Sequence, residues 1–356
     1  MKSITINKKK LGDEGPLYFI ADIAANHDGS LERAYRLIEL AKEAGADAAK
    51  FQNFQADKIV SNVGFQNLGT QSAHQAKWKK PVYEVYRDAS ISFEWTESLK
   101  KKCYETGIEY FTSPYDFESV DRVDPYVNVY KIGSGDITWL EIIEYIAKKN
   151  KPVMLATGAS SMQDVVRAMN TLEAITDDII LMQCNTNYTG DLQNFNYINL
   201  NVLTTYKNRF PNVLLGLSDH TPGHATVLGA IALGARVFEK HFTDDNNREG
   251  PDHHFAMNPQ TWREMVDRAN ELYHALGDGV KRIEENEKTS FVVQRRSLRV
   301  KKEMVVGDII TADNIEALRP IPQNGLPPYM LKDILGKKIK NKIAAGEHLT
   351  LENISL

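Results

Sequence analysis

Cysteine is scarce: among 356 residues only Cys103 and Cys184 occur, in unrelated contexts. Two isolated thiols make no disulfide framework, and the cytosol follows as the natural compartment. Charge of one sign is lacking too. Lys and Arg number 43 against 47 Asp and Glu, a formal net charge of -4, which argues against nucleic acid as the main partner. No apolar run approaches membrane-spanning length, and the opening MKSITINKKKLGDEG has no apolar core for a signal peptide, so no membrane partner is expected. The lysines at 8–10 read as a solvated turn. A Gly-x-Gly-x-x-Gly fingerprint after the first strand is also missing, which removes the main signal for a dinucleotide-binding open sheet. What remains is an ordinary globular composition, 42% hydrophobic and 25% charged, long enough for one large domain and a small one.

Short apolar runs alternate with helix-period stretches along most of the chain. Candidate strands are 18–24, 48–52, 109–113, 127–132, 153–156, 179–183, 213–217 and 237–240. Candidate helices are 31–44, 95–106, 140–149, 162–174, 200–210, 225–233 and 259–276, with a short, weakly signalled one within 118–123. Ser30 and Ser161 stand where N-caps are needed. Such alternation predicts an α/β fold, a parallel (β/α)8 TIM barrel. One excursion, 53–92, is far too long for a strand-to-helix loop; it contains SAHQAKWKK (72–80) and Tyr83-Glu-Val-Tyr86. It either shapes the catalytic face or pads the barrel. The alternation stops near Arg282. A polar stretch at 283–294 reads as a linker between a catalytic domain at 1–282 and a small domain at 295–356. Within that small domain VGDIITADNI (306–315) is echoed by AGEHLTLENI (345–354), so a pseudo-symmetric fold is expected, with Gly307 and Gly346 in matching turns.

Two segments carry the sharpest chemical signal: GLSDH at 216–220 and FEKHFT at 238–243. Each ends a short strand, and a helix lies between them. In a barrel the active site sits at the C-terminal strand ends, so His220 and His241 would share one mouth as a candidate metal pair. The alternative is two separate histidines, each hydrogen-bonded or solvated. The other strand ends supply Asp22, Asn26 and His27; Lys50 and Gln52; Thr112 and Ser113; Lys131, Ser134 and Asp136; Thr157; Asn185, Thr186 and Tyr188; Ser218 and Asp219. A barrel core fills with branched apolar side chains, so lysines ending two strands need a reason. Lys50 and Lys131 must pair with an anion or lose their charge. With Ser113, Ser134 and Ser218 they suit a small doubly anionic substrate such as a carboxylate-phosphate. Structural pairing with Asp22 or Asp136 across the barrel is the bland alternative.

IADIAANHDG (20–29), ADAAKFQ (46–52), YKIGSGD (130–136), GLSDHT (216–221), EKHFTD (239–244) and GPDHH (250–254) together resemble the sialic acid (N-acetylneuraminate) synthase family. The tail resembles that family's antifreeze-like (SAF) domain, and the likeness runs the length of the chain in order. It implies a transferase that condenses phosphoenolpyruvate with an open-chain N-acetylated amino sugar and water, giving a nine-carbon 2-keto-3-deoxy sugar acid and phosphate by C–O cleavage. It also implies Mn2+ or Mg2+ on His220 and His241, and phosphoenolpyruvate on Lys50, Ser113, Lys131, Ser134 and Ser218, with Lys131 also catalytic. Gln52, Asp136, Tyr188 and Asp252 would meet the sugar. Arg319 would reach the barrel of a partner subunit in a homodimer whose tails are exchanged. Asp22 stands where most members have glutamate, the group thought to handle the proton of the attacking water. The order Cys184-Asn-Thr departs from the usual Cys-Thr-Asn, leaving open whether Asn185 or Thr186 meets the phosphate. His27 reads as a loop cap. Two rival functions are a metal-dependent aldolase or related synthase acting on another, phosphorylated sugar, and a non-catalytic carbohydrate-binding protein. The acceptor itself stays open between N-acetylmannosamine and a 6-deoxy diacetamido sugar.

Overall fold

The computed structural model describes residues 2–12, 14–69, 75–76 and 78–355; positions 72–74 and 77 of the SAHQAKWKK motif lie outside them. Two compact units divide the chain, Met1–Gly277 and Asp278–Leu356. In the first, a hairpin of β1 (Ser3–Ile6) and β2 (Lys9–Gly12) precedes eight parallel strands. These are β3 (Tyr18–Asp22), β4 (Ala48–Asn53), β5 (Glu109–Pro114), β6 (Tyr130–Ile132), β7 (Val153–Ala156), β8 (Ile179–Cys184), β9 (Leu214–Asp219) and β10 (Val237–His241). Their order, β5-β4-β3-β10-β9-β8-β7-β6, places the first strand of the set against the last, in the register Tyr18↔Val237 to Asp22↔His241. At the remaining seam β5 and β6 lie side by side, with no ladder among the described residues. Runs such as VMLA in β7 and IILMQC in β8 are buried throughout, as strands covered on both faces must be.

Helices follow the strands: α1 (Leu31–Glu43), then α2 (Ala56–Ile59), α3 (Asn62–Asn67) and α4 (Val82–Ala89) inside the excursion, and α5 (Trp95–Thr106). Beyond come α6 (Phe117–Val123), α7 (Leu140–Ala147), α8 (Met162–Glu173), α9 (Val202–Arg209), α10 (Ala225–Ala232) and α11 (Pro259–Leu276). Ser30 caps α1 by accepting from Arg33 N, and Ser161 with Asp164 closes a capping box on α8. The helices outside the excursion bury apolar residues on the barrel, such as Leu37, Ile38 and Ala41 of α1, while α2 and α4 pack on each other through Ala56, Val60 and Val82. No described helix is long and apolar enough to cross a membrane.

Several boundaries differ from the sequence expectation for identifiable reasons. The first barrel strand stops at Asp22, because the Asp22 carboxylate accepts from Ala24 N at 3.1 Å and Ala24 takes a positive φ of 45°. The fourth starts only at Tyr130, after a Pro-containing turn at Asp124–Tyr126. The lysines at 8–10 are not all turn: Lys9 and Lys10 belong to β2, whose Leu11 packs with Ile4 and Ile6 into the barrel core. Lys9 Nζ reaches Leu17 O (3.2 Å) and Asp47, and Asn7 reaches Glu109 (2.9 Å). These partners flank strand N-termini, so the hairpin closes the end of the barrel opposite the catalytic face.

In the second unit the stretch expected as a linker holds α12 (Lys288–Gln294), tied in by Ile321 N donating to Val292 O at 3.0 Å. A short ladder of β11 (Ser297–Val300) and β12 (Ile315–Leu318) packs over Leu298, Val300, Ile310, Ile339, Leu349 and Ile354. The internal echo is physical. Gly307 and Gly346 both take positive φ (96° and 83°), Asp308 and Glu347 accept from Val305 N and Ala344 N, and Asn314 and Asn353 from Thr311 N and Thr350 N. Met304 and Ile343 pair the two halves across a bridge.

Candidate active site

Alternation along a strand puts every second side chain on one face. On β10 that aims Glu239 and His241 into the barrel, while Lys240 turns outward to the buried carboxylate of Asp219. β3 and β4 aim Asp22 and Lys50 inward at the same level, since the two are register partners. A four-charge knot results. Lys50 Nζ lies 2.7 Å from Asp22 Oδ2 and 3.5 Å from Glu239 Oε1, and Lys131 Nζ lies 3.3 Å from that same Glu239 oxygen. Gln52 donates to Asp22 at 3.3 Å, and the Ser218 hydroxyl to Glu239 at 3.2 Å. All four charged groups are buried. Burial pushes the Asp22 carboxyl up, in spite of Lys50 beside it. At Glu239 burial is outweighed by Lys131 and Lys50, which hold the carboxyl down at about 2.

The lysines are therefore paired in the ligand-free barrel, as the bland alternative foresaw for Asp22. For Asp136 it did not hold: that carboxyl stands apart, pushed up to about 6 by burial. Pairing nonetheless leaves acceptors and donors unused. Glu239 Oε2, the Ser113 hydroxyl and the Thr186 hydroxyl are buried with no hydrogen-bond partner. Beside them the Ser134 hydroxyl accepts from Gly158 N at 2.8 Å. A Cβ on Gly158 would fall 1.9 Å from Thr186 Oγ1, 2.9 Å from Ser134 Oγ and 3.0 Å from Cys184 Sγ, so only glycine lets these three groups converge. Between the two phosphate candidates at β8, Thr186 is the one that faces this cradle. The Asn185 side chain turns away to donate to Tyr197 O (3.3 Å), and its backbone carbonyl is engaged by His220.

His220 and His241 have ring centroids 5.4 Å apart. His220 Nδ1 donates to Asn185 O at 2.9 Å, which fixes the tautomer with its lone pair on Nε2. Burial lowers His241 to about 3, keeping it neutral, and its Nδ1 has no hydrogen-bond partner, lying 3.7 Å from Asp252 Oδ2. Its Nε2 lies 3.6 Å from Asp22 Oδ2. Among the described residues no cluster of three or more His, Cys, Asp or Glu could hold an ion. Cys184 and the Asn185 carbonyl raise His220 in spite of burial, so only His241 is held neutral. Two imidazoles side by side suit a divalent transition metal whose other positions are left to substrate and water, not a closed structural site.

Above the imidazoles opens a cavity of about 430 Å³, a size that suits a small ligand. Gln52, Ser134, Asp136, Thr186, Tyr188, His241 and Asp252 line it, with Phe54, Ile59, Trp78, Val85 and Tyr86 from the excursion. Tyr188 packs on His220 at 4.3 Å. Asp252 is held by Ala25 N at 3.2 Å. Its neighbour His253 is buried and bridges the Thr243 hydroxyl (2.7 Å) and Asp28 (2.9 Å), fastening the loop after β10 to the loop after β3. His27 accepts from Gly29 N at 3.0 Å and caps its own loop. Arg319 lies exposed in the second unit.

Comparison with known proteins was made against this geometry. Residues 37–281 match the NeuB family, and residues 295–355 match the SAF domain. The chain belongs to the NeuB family. It is 34% identical to the N,N'-diacetyllegionaminic acid synthase of Campylobacter jejuni over 89% of this chain and 94% of that one. The pseudaminic acid synthase of the same species is 33% identical over 94% of this chain and 95% of its own. The solved structure of the N-acetylneuraminic acid (sialic acid) synthetase of Leptospira borgpetersenii, in complex with citrate, superposes with a TM-score of 0.71 at 26% identity, covering 81% of this chain and 95% of that chain.

For a NeuB-family chain the sequence reading missed three contributors. Glu239 was quoted in a motif but given no role, although its spacing of two from His241 puts it on the same strand face. Gly158 carried no signal without knowledge of what surrounds it. The excursion's aromatic residues were visible, but which of them face the cavity was not.

Proposed function

We infer that this NeuB-family enzyme condenses phosphoenolpyruvate with an open-chain N-acylated amino sugar and water, releasing phosphate and a nine-carbon 2-keto-3-deoxy sugar acid. The observation that carries this reading is the pair of buried lysines beside unpartnered Ser113 and Thr186 hydroxyls, with two neighbouring imidazoles at the mouth of the barrel. Lys50 and Lys131 take up the anionic substrate, exchanging part of their pairing with Asp22 and Glu239 for its carboxylate and phosphate. Ser113, Ser134, Thr186 and Ser218 donate to its oxygens. His220 and His241 would hold a divalent ion, Mn2+ or Mg2+, which when bound polarises the aldehyde oxygen of the sugar. Gln52, Asp136, Tyr188 and Asp252 orient the sugar so that its aldehyde carbon meets the enol ether carbon. Water adds to the phosphate-bearing carbon, and Asp22 takes its proton; a raised pKa suits a group that must accept a proton and pass it on. Lys131 and Lys50 then stabilise the charge on the departing phosphate.

Phosphate release measured with phosphoenolpyruvate and a panel of amino sugars, with and without chelator, tests the reading. Release should need both an N-acylated sugar and a divalent ion. Sugar-independent release, or turnover indifferent to chelator, would count against it.

A further inference from the structure

Between β10 and α11 the chain from Phe242 to Asn258 forms no helix or strand of its own. That stretch nonetheless delivers two side chains to the site. Asp252 lines the cavity, and Phe255 packs against His241 with ring centroids 4.9 Å apart and against Tyr188 at 5.5 Å. Among the described residues the Asp252 carboxylate accepts one hydrogen bond, from Ala25 N. One contact does not fix a carboxylate on an irregular loop, so its placement must be set from elsewhere.

The next residue supplies the anchor. His253 is fully buried. Its Nδ1 lies 2.7 Å from Thr243 Oγ1, at the start of the same stretch, and its Nε2 lies 2.9 Å from Asp28 Oδ1, in the loop after β3. Asp28 is a junction of three segments. Besides meeting His253 it accepts from Arg248 Nε (3.0 Å) and Nη2 (2.8 Å), and Arg33 Nε of α1 lies 3.1 Å away. Burial pulls the Asp28 carboxyl up, but His253 and Arg248 hold it below the ordinary carboxylate range, so it stays an anion that only accepts. His253 Nε2 therefore carries the proton of that bond. Gly250 makes room for the contact: a Cβ there would fall 2.6 Å from His253 Cδ2. The His253 carbonyl is tied too, by Asn246 Nδ2 at 2.9 Å. None of these groups takes part in the condensation proposed above. The phosphoenolpyruvate side is built without this stretch, since Lys50, Ser113, Lys131, Ser134, Thr186 and Ser218 come from other strands and the loops after them.

We propose that His253, locked by Asp28, is a positioning residue for the sugar half of the reaction alone. It sets the loop that presents Asp252 to the acceptor and Phe255 to His241, and it leaves the binding of phosphoenolpyruvate untouched. The proposal rests on the condensation reading above and assigns one of its two substrates to this anchor.

Steady-state kinetics with both substrates varied, beside urea unfolding of each variant, would test it. The sugar is N-acetylmannosamine or a 2,4-diacetamido-2,4,6-trideoxyhexose, whichever the unmodified enzyme uses faster. His253→Ala should raise the KM for the sugar about tenfold or more, while the KM for phosphoenolpyruvate changes by less than about twofold. His253→Gln keeps an N–H donor within reach of Asp28 and should recover much of the loss. Asp28→Asn should show the same one-sided rise. These two milder variants carry the test where His253→Ala fails to fold. Parallel rises in both KM values, a sugar KM that does not move in folded protein, or a glutamine variant no better than the alanine one would each overturn the proposal and leave the synthase reading intact. Phosphate release with neither sugar would overturn the synthase reading and this proposal with it.

Discussion

Asp22 and Glu239 contact the same lysine, yet their carboxyls shift in opposite directions. Glu239 has two lysines and a serine hydroxyl to hold its charge, while Asp22 relies mainly on Lys50 with a longer contact from Gln52. In the proposed mechanism that asymmetry suits Asp22 to carry the proton and Glu239 to stay as a fixed counter-charge. Asp22→Asn keeps size and hydrogen bonding but removes the base, so kcat should fall roughly a hundredfold or more with little change in either KM. Asp22→Glu should retain activity. An unchanged rate in the Asn variant would remove Asp22 from the chemistry. Away from the site, His27 is lowered to about 4 by burial and Arg33, against the pull of Asp28 and the Ala89 carbonyl. A histidine depressed on folding binds its proton more readily when unfolded, so its contribution is full above about pH 6.5 and lost as pH falls toward 4. At about 1.4 kcal/mol per pKa unit the loss is roughly 3 kcal/mol. Urea unfolding of wild type and His27→Gln across that window measures it; parallel pH profiles would contradict the assignment. Lys50 and Lys131 were legible as site residues because a buried charge at a strand end demands a partner. Of the anions that answer that demand, Asp22 was among the candidates at the strand ends, whereas the choice of Glu239 over Asp136 depends on contacts across the barrel.

Elements were the most legible level, since each strand is a short apolar run and each helix has its period and often its cap. What escaped was set by packing. The opening lysines looked like solvent-exposed turn, but Ile4 and Ile6 alternate in burial with Ser3 and Thr5, and Lys9 to Gly12 pair with that strand as a hairpin that buries Leu11. Because the hairpin closes the far end of the barrel, it should matter to stability and not to turnover. Ile6→Ala should cost about 2–5 kcal/mol in urea unfolding, with kcat per folded molecule unchanged. A fall in kcat at unaltered stability would show that the two ends are coupled. The excursion illustrates the converse limit. Its length signalled a catalytic-face feature or padding with equal force, and only the positions of Phe54, Ile59, Val85 and Tyr86 around the cavity decide for the former.

At the scale of the whole molecule, a catalytic barrel is joined to a pseudo-symmetric SAF unit whose half-repeat was readable because turn chemistry repeats residue for residue. Arg319, exposed on that unit, is proposed to complete the sugar site of a partner chain in a homodimer, its guanidinium offering several fixed donors to sugar oxygens. Mixing Arg319→Ala chains with Lys131→Ala chains should then restore activity above either parent, because mixed dimers regain one intact site. No gain, once subunit exchange is verified, would mean that each chain builds its own site. The proposed reaction as a whole stands on water attacking the phosphate-bearing carbon, with Lys50 and Lys131 escorting the phosphate out. Phosphoenolpyruvate carrying oxygen-18 in the bridging position tests this most directly. Cleavage of the C–O bond delivers the label to inorganic phosphate; recovery of the label in the keto acid would contradict the mechanism.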